Sequence, residues 1–453
     1  MQPLPKEFEE QMKRLLGEAG FFAYLDALNQ PYTRALRVNL LLRPDGTPPC
    51  PIEGLGAPVP WAKGAYFVEG DARPGLSPLH EGGLFYMQEP SALTAVTALD
   101  PQPGERVLDL CAAPGGKSTQ IAALMAGRGL LCCNEPIPSR AQILSRNIER
   151  MGVRNAVVLS AMPDALVPRF PAFFDRILVD APCSGEGMFR RQPEARDEWD
   201  ADAPRRCADR QMEILAQAAK MLRPGGTMVY STCTFNDTEN EGVLKRFLAL
   251  HPEFSLVPFA LPGLPEAKDG YLHLYPHEMR GEGHFVSRLK KTDGADEADA
   301  PVQAAPQRKA PARAAAKGKA PAPIALPDVF SDAFAPERLY TAGDALWMLP
   351  EGISIERLSG LRVLRTGLLL AHAEGKRSEP DHALAMALRP EEAARTASLT
   401  QTQALAYQAG ETLSLGDLPG GYTLLCCEGV SLGWGKQAGG LMKNHYPKGL
   451  RRR

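Results

Sequence analysis

The chain has no run of about 18 apolar residues, the length a helix needs to cross a bilayer, and its first residues, Met1-Gln2-Pro3-Leu4-Pro5-Lys6, lack the basic and apolar regions of a secretory signal. A cytoplasmic protein with no membrane contact is expected. Ligand-spaced cysteines are missing as well: the 9 Cys form no Cys-x-x-Cys or Cys-x-x-His pair, and their odd number at irregular positions does not suit a secreted disulfide framework. Reduced thiols and no metal are expected. Charge of either sign is not in excess, since 51 Lys plus Arg against 53 Asp plus Glu leave a net charge of -2. Any nucleic-acid footprint must therefore be a local patch.

At 453 residues with a 44% hydrophobic share, the chain is too long for one ordinary core and should form two to four domains. Residues 6–29 carry apolar residues at helical spacing interrupted at Gly20, and Arg34 to Leu42 reads as a strand, which predicts a small α+β domain over residues 1–95. From 96 to 290, short apolar runs alternate with longer helical stretches, the pattern of a parallel sheet with crossover helices. Strands are expected at Arg106–Leu110, Gly129–Cys133, Ala156–Leu159, Asp175–Val179 and Thr227–Ser231, with helices near 117–126, 138–151, 204–222 and 239–250. Residues 291–326 are rich in Ala, Pro, Lys and Arg without an apolar period, as in a flexible basic linker. Residues 327–453 regain strand-like runs at Arg362–Leu370 and Tyr422–Cys426 and predict a separate, mainly β domain.

Val107-Leu108-Asp109-Leu110-Cys111-Ala112-Ala113-Pro114-Gly115-Gly116-Lys117-Ser118 runs from a strand through small residues into a helix, so its backbone can approach a ligand at the helix N-terminus. A P-loop would need glycine where Cys111 stands, and Gly-x-Gly-x-x-Gly is absent. Glu135 ends the next strand about 20 residues on, where an acid commonly accepts hydrogen bonds from ribose hydroxyls. A ribose without pyrophosphate fits S-adenosylmethionine.

Two further strands end in thiols. Asp175 to Val179 leads into Asp180-Ala181-Pro182-Cys183-Ser184-Gly185, and Thr227 to Tyr230 into Ser231-Thr232-Cys233-Thr234. Open α/β sheets bind ligands at this edge. A thiolate adding at C6 of cytosine makes C5 a carbon nucleophile, whereas methylation of an exocyclic nitrogen needs no thiol, and the Asp/Asn-Pro-Pro-Tyr/Phe signature of such enzymes is absent. An unperturbed thiol of pKa about 8.5 is mostly protonated at neutral pH, so the nucleophile needs help from a cation, a proton acceptor or a helix N-terminus. The Thr234–Glu239 turn opens a helix that would serve Cys233. Cys132, Cys133, Cys207, Cys426 and Cys427 read as structural.

The stretches Asp109–Ser118, Asp180–Gly187 (Asp-Ala-Pro-Cys-Ser-Gly-Glu-Gly) and Tyr230–Glu241 (Tyr-Ser-Thr-Cys-Thr-Phe-Asn-Asp-Thr-Glu-Asn-Glu), in this order, resemble the motifs of the Sun-type RNA cytosine-C5 methyltransferases. Arg37-Val38-Asn39, Gln88-Glu89-Pro90-Ser91 and the closing-strand sequence Gly281-Glu282-Gly283-His284-Phe285 extend the likeness over residues 30–290, and Gly433-Trp434-Gly435-Lys436 with Asn444-His445-Tyr446-Pro447 is similar to a bacterial small-subunit ribosomal RNA branch. The resemblance implies a Rossmann-like, seven-stranded S-adenosylmethionine-dependent core, an RNA-binding N-terminal domain and a PUA-like C-terminal domain. It implies that Cys111, Ala112, Ala113, Pro114, Gly115, Gly116, Lys117 and Glu135 hold the cofactor, that Asp180 stands between cofactor and cytosine, that Cys233 is the nucleophile and that Cys183 releases the adduct. In the family an acid usually follows the third strand to meet the adenine amine; here Ser160-Ala161-Met162-Pro163 intervenes before Asp164, so either Asp164 serves from a shifted loop or the adenine is held differently.

The expected partner is small-subunit ribosomal RNA, bound by a monomer. Arg37, Arg190 and Arg191 are candidate phosphate contacts, as are Lys436, Lys443, His445, Lys448 and Arg451 to Arg453 beside Trp434 and Tyr446, because basic residues among aromatics suit phosphates and stacking. Transfer RNA methylation, a non-catalytic assembly factor and DNA cytosine methylation are the competing readings; in the last, the thiol after proline would attack.

Overall fold

The computed structural model describes residues 4–294, 324, 329, 336–374 and 377–452. Most of the expected linker and Arg453 lie outside the described residues.

The chain opens with the helix Lys6–Leu28, broken at Gly17 in the left-handed region (φ 68°, ψ 173°) rather than at Gly20. The break folds the helix back on itself, so that Phe8, Met12, Phe21 and Tyr24 share one apolar cluster with Phe189 and Phe235. Four strands follow, β1 (Arg34–Val38), β2 (Leu55–Pro58), β3 (Ala65–Val68) and β4 (Phe85–Gln88), in the order β2-β3-β1-β4. The first is shorter than expected because Asn39 starts a turn: its carbonyl accepts the N–H groups of Leu42 and Arg43.

The central sheet contains β5 (Arg106–Asp109), β6 (Leu130–Asn134), β7 (Ala156–Leu159), β8 (Phe174–Asp180), β9 (Leu222–Thr232), β10 (Phe254–Leu256), β11 (Tyr271–Leu274) and β12 (His284–Lys291). The expected seven-stranded path runs β10-β12-β9-β8-β5-β6-β7, and β11 pairs with β12. Strands β5 to β9 pair in parallel and β12 runs antiparallel to β9. Alternate residues enter two different cores, Leu131 and Cys133 with Val107 and Leu178 on one side, Cys132 with Leu108, Ile177 and Tyr230 on the other. Burial on both faces explains why these strands read as unbroken apolar runs.

Beyond the linker lie β13 (Leu339–Ala342), β14 (Ala345–Met348), β15 (Val363–Arg365), β16 (Leu368–Glu374) and β17 (Arg377–Pro380), then β18 (Thr396–Ser398), β19 (Gly421–Cys427), β20 (Val430–Ala438) and β21 (Leu441–Asn444). The run expected as one strand over Arg362–Leu370 divides at Gly367, whose φ of +133° and approach to the Met348 carbonyl, 2.2 Å from any added Cβ, exclude a side chain. On one side β15 pairs antiparallel with β7, making nine strands in the central sheet; on the other β16 joins β13, β14 and β17 in a four-stranded sheet. Strands β18 to β21 form another. Ion pairs Arg365–Glu149 and Arg154–Glu392 hold this half against the central sheet.

Candidate active site

Because β8 and β9 are parallel neighbours with Asp180 opposite Ser231, the segments leaving their C-terminal ends meet. Cys183 Sγ lies 3.2 Å from Cys233 Sγ, and the Cys233 N–H points to Cys183 Sγ at 3.3 Å. Both thiols are free and half-buried. The Cys233 contact, reinforced by burial, pushes the Cys183 thiol well above its ordinary range, so Cys183 keeps its proton and can donate it to its neighbour.

Asp180 stands beside them. Lys117 Nζ is 2.8 Å from its Oδ2, and the Ser231 hydroxyl donates to Oδ1 at 2.8 Å. Buried His284 Nε2 is 3.5 Å from Oδ1 and has no closer partner among the described residues. Burial alone would raise the Asp180 carboxyl, but Lys117 and then His284 outweigh it and hold it well below the usual carboxylate range. Burial would likewise lower the Lys117 ammonium, but Asp180 and, more weakly, Cys233 raise it above its ordinary value. Anion and cation therefore both persist at neutral pH. The helix expected to open over Thr234–Glu239 starts only at Glu241, and Asn240 before it accepts from the Thr232 hydroxyl at 2.7 Å and donates to the Thr234 carbonyl at 3.1 Å.

Two buried carboxylates lock the thiol-bearing loops together. Glu186, on the Cys183 side, accepts the N–H groups of Phe235 at 2.8 Å and Asn236 at 3.0 Å. Glu239, on the Cys233 side, accepts the Ser184 N–H at 3.0 Å, the Gln211 amide at 2.8 Å and the Ser184 hydroxyl. Gln11 of the N-terminal helix also donates to Glu186, at 2.9 Å. Sequence reasoning missed these residues; their only signal was an unusual density of acids and amides around Cys183 and Cys233.

The loop from Cys111 to Lys117 joins β5 to the helix Gly116–Leu124. Gly115 has φ +111°, and a Cβ there would meet Leu144 at 3.2 Å; one on Gly116 would meet Tyr86 at 3.2 Å. Arg140 and Asn147 donate to the Ala113 and Pro114 carbonyls at 3.1 and 2.9 Å, and the Ala112 N–H to Asn134 O at 2.9 Å. Cys111 is raised far above its normal range by burial and is inert. Fully buried Asp109 accepts the Ser118 hydroxyl at 2.7 Å through Oδ2, while Oδ1 has no hydrogen-bond partner among the described residues. Burial, opposed by that hydrogen bond and aided by Asp180, brings its pKa to about 7. At the end of β6, Glu135 is 3% exposed, accepts the Ile137 N–H at 3.0 Å and pairs with Arg140 at 3.5 Å. An orphan acid oxygen, a closely approachable backbone and a second acid one strand away fit a ligand carrying an ammonium and a ribose. Exposed Asp164 starts the short helix Pro163–Leu166 and accepts only the Ala165 N–H, at 2.8 Å, among the described residues.

The candidate RNA contacts separate. Arg37 is 1% exposed; its guanidinium donates to Thr119 Oγ1 at 2.8 Å and to the Gly116 carbonyl at 3.3 Å. It is an internal strut under the cofactor loop, not a phosphate contact. Arg190 is consumed by Glu282, at 2.7 Å, and by the Ala27 and Gly281 carbonyls. Arg191 and Lys443 are exposed. Lys436 lies over the Tyr422 ring, 4.5 Å from its centroid, and faces Lys443 across β20 and β21. Trp434 and Tyr446 are buried in the core and present no stacking face. Among the described residues, no cluster of His, Cys, Asp and Glu stands where it would hold a metal ion, and no helix is long and apolar enough to cross a membrane.

A parallel sheet with a Gly-rich cradle after its first strand and an acid after its second defines a Rossmann-like protein with a nucleoside site. Comparison with known families specifies it. Residues 4–90 match the N-terminal domain of 16S rRNA methyltransferase RsmF, 96–290 the 16S rRNA methyltransferase RsmB/F model, 327–388 the RsmF first C-terminal domain and 394–452 the RsmF PUA domain. Proteins called ribosomal RNA small subunit methyltransferase F from Erwinia tasmaniensis and an Enterobacter species are 34% and 35% identical over 98% of this chain and 96% and 95% of theirs. The chain belongs to the ribosomal RNA small subunit methyltransferase F family and is a methyltransferase of 16S ribosomal RNA. Among solved structures, a methyltransferase homologue from Pyrococcus horikoshii is 31% identical with a TM-score of 0.53, covering 63% of this chain and 95% of its own. The NSun6 protein of the same organism, solved with SFG, shares the fold at 23% identity and a TM-score of 0.55, covering 64% of this chain and 99% of its own.

Proposed function

We propose that this protein forms 5-methylcytosine in small-subunit ribosomal RNA through a covalent bond between Cys233 and cytosine C6, using S-adenosylmethionine. The observation that carries the proposal is the 3.2 Å thiol pair beside the Lys117–Asp180 ion pair. S-adenosylmethionine, when bound by residues 111–117, Asp109 and Glu135 with Asp164 as the acid for the adenine amine, supplies an electrophilic methyl group. The target base must leave any duplex to reach the crevice. The Cys233 thiolate attacks C6; N3 takes a proton from solvent as charge builds there, and its N–H donates to the ionised, partly exposed Asp180; and C5 takes the methyl group. Loss of the C5 proton to solvent forms the C5–C6 double bond and breaks the Cys233–C6 bond, and the protonated Cys183 donates a hydrogen bond to the departing thiolate. Arg191, Lys436 and Lys443 contact RNA phosphates, with residues 1–95 and 327–453 as RNA-binding flanks of the 96–290 core. The protein acts as a cytoplasmic monomer.

Tritium release from cytosine-5-labelled 16S ribosomal RNA, naked and in assembled small subunits, tests the reading. Release that requires S-adenosylmethionine and Cys233 is the expected result. Methyl transfer without tritium release would overturn C5 chemistry.

A further inference from the structure

Beside the catalytic crevice, a cleft of about 340 Å³ is lined by Tyr32, Arg34, Arg73, Leu76, Gln88 and Arg191. Its volume falls at the lower end of small-ligand pockets, roughly 300–1,000 Å³. We infer that this cleft holds the nucleotide adjacent to the flipped target cytosine, with the base against Tyr32 and Leu76 and its phosphate between Arg73 and Arg191. The inference rests on the proposed RNA reaction and adds where the flanking strand lies.

Charge, surface chemistry, rigidity and position argue together. Arg73 and Arg191 are exposed and have no acidic partner among the described residues. Arg34 donates to the Ala72 and Gly70 carbonyls, neutral acceptors that leave its charge uncompensated. The one carboxylate of the lining, Glu89, is occupied by the N–H groups of Ser91, Ala92 and Glu282 at 2.8–2.9 Å. Three guanidiniums, Arg34, Arg73 and Arg191, stand against the single Glu89 carboxylate, so the cleft carries net positive charge, as a phosphate requires. Tyr32 is 46% and Leu76 64% exposed, an aromatic ring and an apolar side chain offered to solvent where a base would cover them.

The wall formed by residues 70–77 is held at both ends. Arg34 binds its start, and Arg452, from the far end of the chain, donates to the Leu76 and Ser77 carbonyls at 2.5 and 2.9 Å. A wall fixed before binding reduces the ordering cost of binding. The cleft also shares a wall with the cofactor loop: the Gln88 amide lies 3.5 Å from where a Gly116 Cβ would stand. Arg191 lies in the segment leaving the thiols, whose Gly187 N–H donates to the Cys233 carbonyl at 2.8 Å. Tyr86 is near enough to both Lys117 and Arg191 to respond to their charges. A strand whose cytosine enters the crevice thus passes its neighbouring nucleotide over this cleft.

The test is methylation kinetics of the full chain on deproteinised 16S ribosomal RNA and on assembled small subunits. Tyr32→Ala should raise KM for RNA about tenfold, as loss of one stacked base does, with kcat within about twofold and S-adenosylmethionine affinity unchanged; Tyr32→Phe should restore the wild-type KM. Arg73→Ala with Arg191→Ala should reduce the salt dependence of RNA binding by about two phosphate contacts. Unchanged KM and salt slope in variants that retain activity would overturn the cleft while leaving the reaction intact. A wild-type protein that methylates neither substrate overturns the proposed reaction, and the cleft with it.

Discussion

Cys183 Sγ and Cys233 Sγ face each other at 3.2 Å from adjacent strand ends. Contact with Cys233, reinforced by burial, pushes the Cys183 thiol strongly upward, so Cys183 keeps its proton. With Cys233 as the proposed nucleophile, Cys233→Ala should lose at least about 10³-fold in kcat/KM, roughly 4 kcal/mol of transition-state stabilisation, and form no RNA adduct. Cys183→Ala should still attack but release slowly, so a protein–RNA adduct should persist through denaturing electrophoresis. The reverse pattern would exchange the two roles.

Lys117 belongs to the loop proposed to hold the cofactor, and its ammonium also keeps Asp180 ionised. Sign matters here. A depressed carboxyl pKa keeps Asp180 charged far into acid, and removing the cation raises that pKa. Lys117→Met should therefore shift the acidic limb of the pH–rate profile to higher pH and cost about 10²–10³-fold in rate, the scale of losing one electrostatic contact to a developing charge. A profile that falls in height without moving would assign Lys117 to cofactor binding alone.

The strands β5 to β9 were legible as apolar runs because each is buried on both faces, and both thiols because they sit at strand ends in distinctive motifs. What escaped was decided by partners distant in sequence. Nothing near Arg190 announces Glu282, and nothing near Arg37 announces Thr119, so both read as free charges. Gly17 and Gly20 are equivalent in sequence; packing of Tyr24 and Phe21 around Phe8 selects Gly17 for the left-handed turn. The helix after Cys233 begins late because Glu239 accepts the Ser184 N–H and Asn236 donates to Glu186, both on the opposite loop. Trp434 looked like a stacking platform, but its indole N–H donates to Asp381 O at 2.8 Å inside the C-terminal core.

Asp109 makes stability depend on pH. In the unfolded chain its carboxyl loses its proton near pH 4, whereas burial in the fold holds the proton to about pH 7. Between these values the folded state binds more protons, so this group lowers stability as pH rises through the window. The ligand-free protein should melt at lower temperature at pH 8 than at pH 5. Asp109→Asn, which retains the acceptor for Ser118, should flatten that difference by a few kcal/mol at most, at about 1.4 kcal/mol per pKa unit. Identical pH slopes in both proteins would remove Asp109 as the cause.

Arg190 and Arg191 are neighbours with opposite fates, and substitution separates them. The Arg190–Glu282 pair is buried, with side-chain exposures of 8% and 2%, and Glu282 also accepts the Thr33 N–H at 2.9 Å. Removing the arginine leaves an uncompensated carboxylate inside the junction of the N-terminal helix and the central sheet. Arg190→Ala should therefore cost about 3–5 kcal/mol of stability, and pairing it with Glu282→Gln should recover part of the loss, because the buried charge is then gone. Arg191→Ala should leave stability within about 0.5 kcal/mol, as exposed substitutions do, but lower the salt dependence of RNA binding by about one phosphate contact. Denaturant unfolding and RNA titrations at several salt concentrations read both effects. A weaker salt dependence in a stably folded Arg190→Ala variant would return Arg190 to the RNA interface.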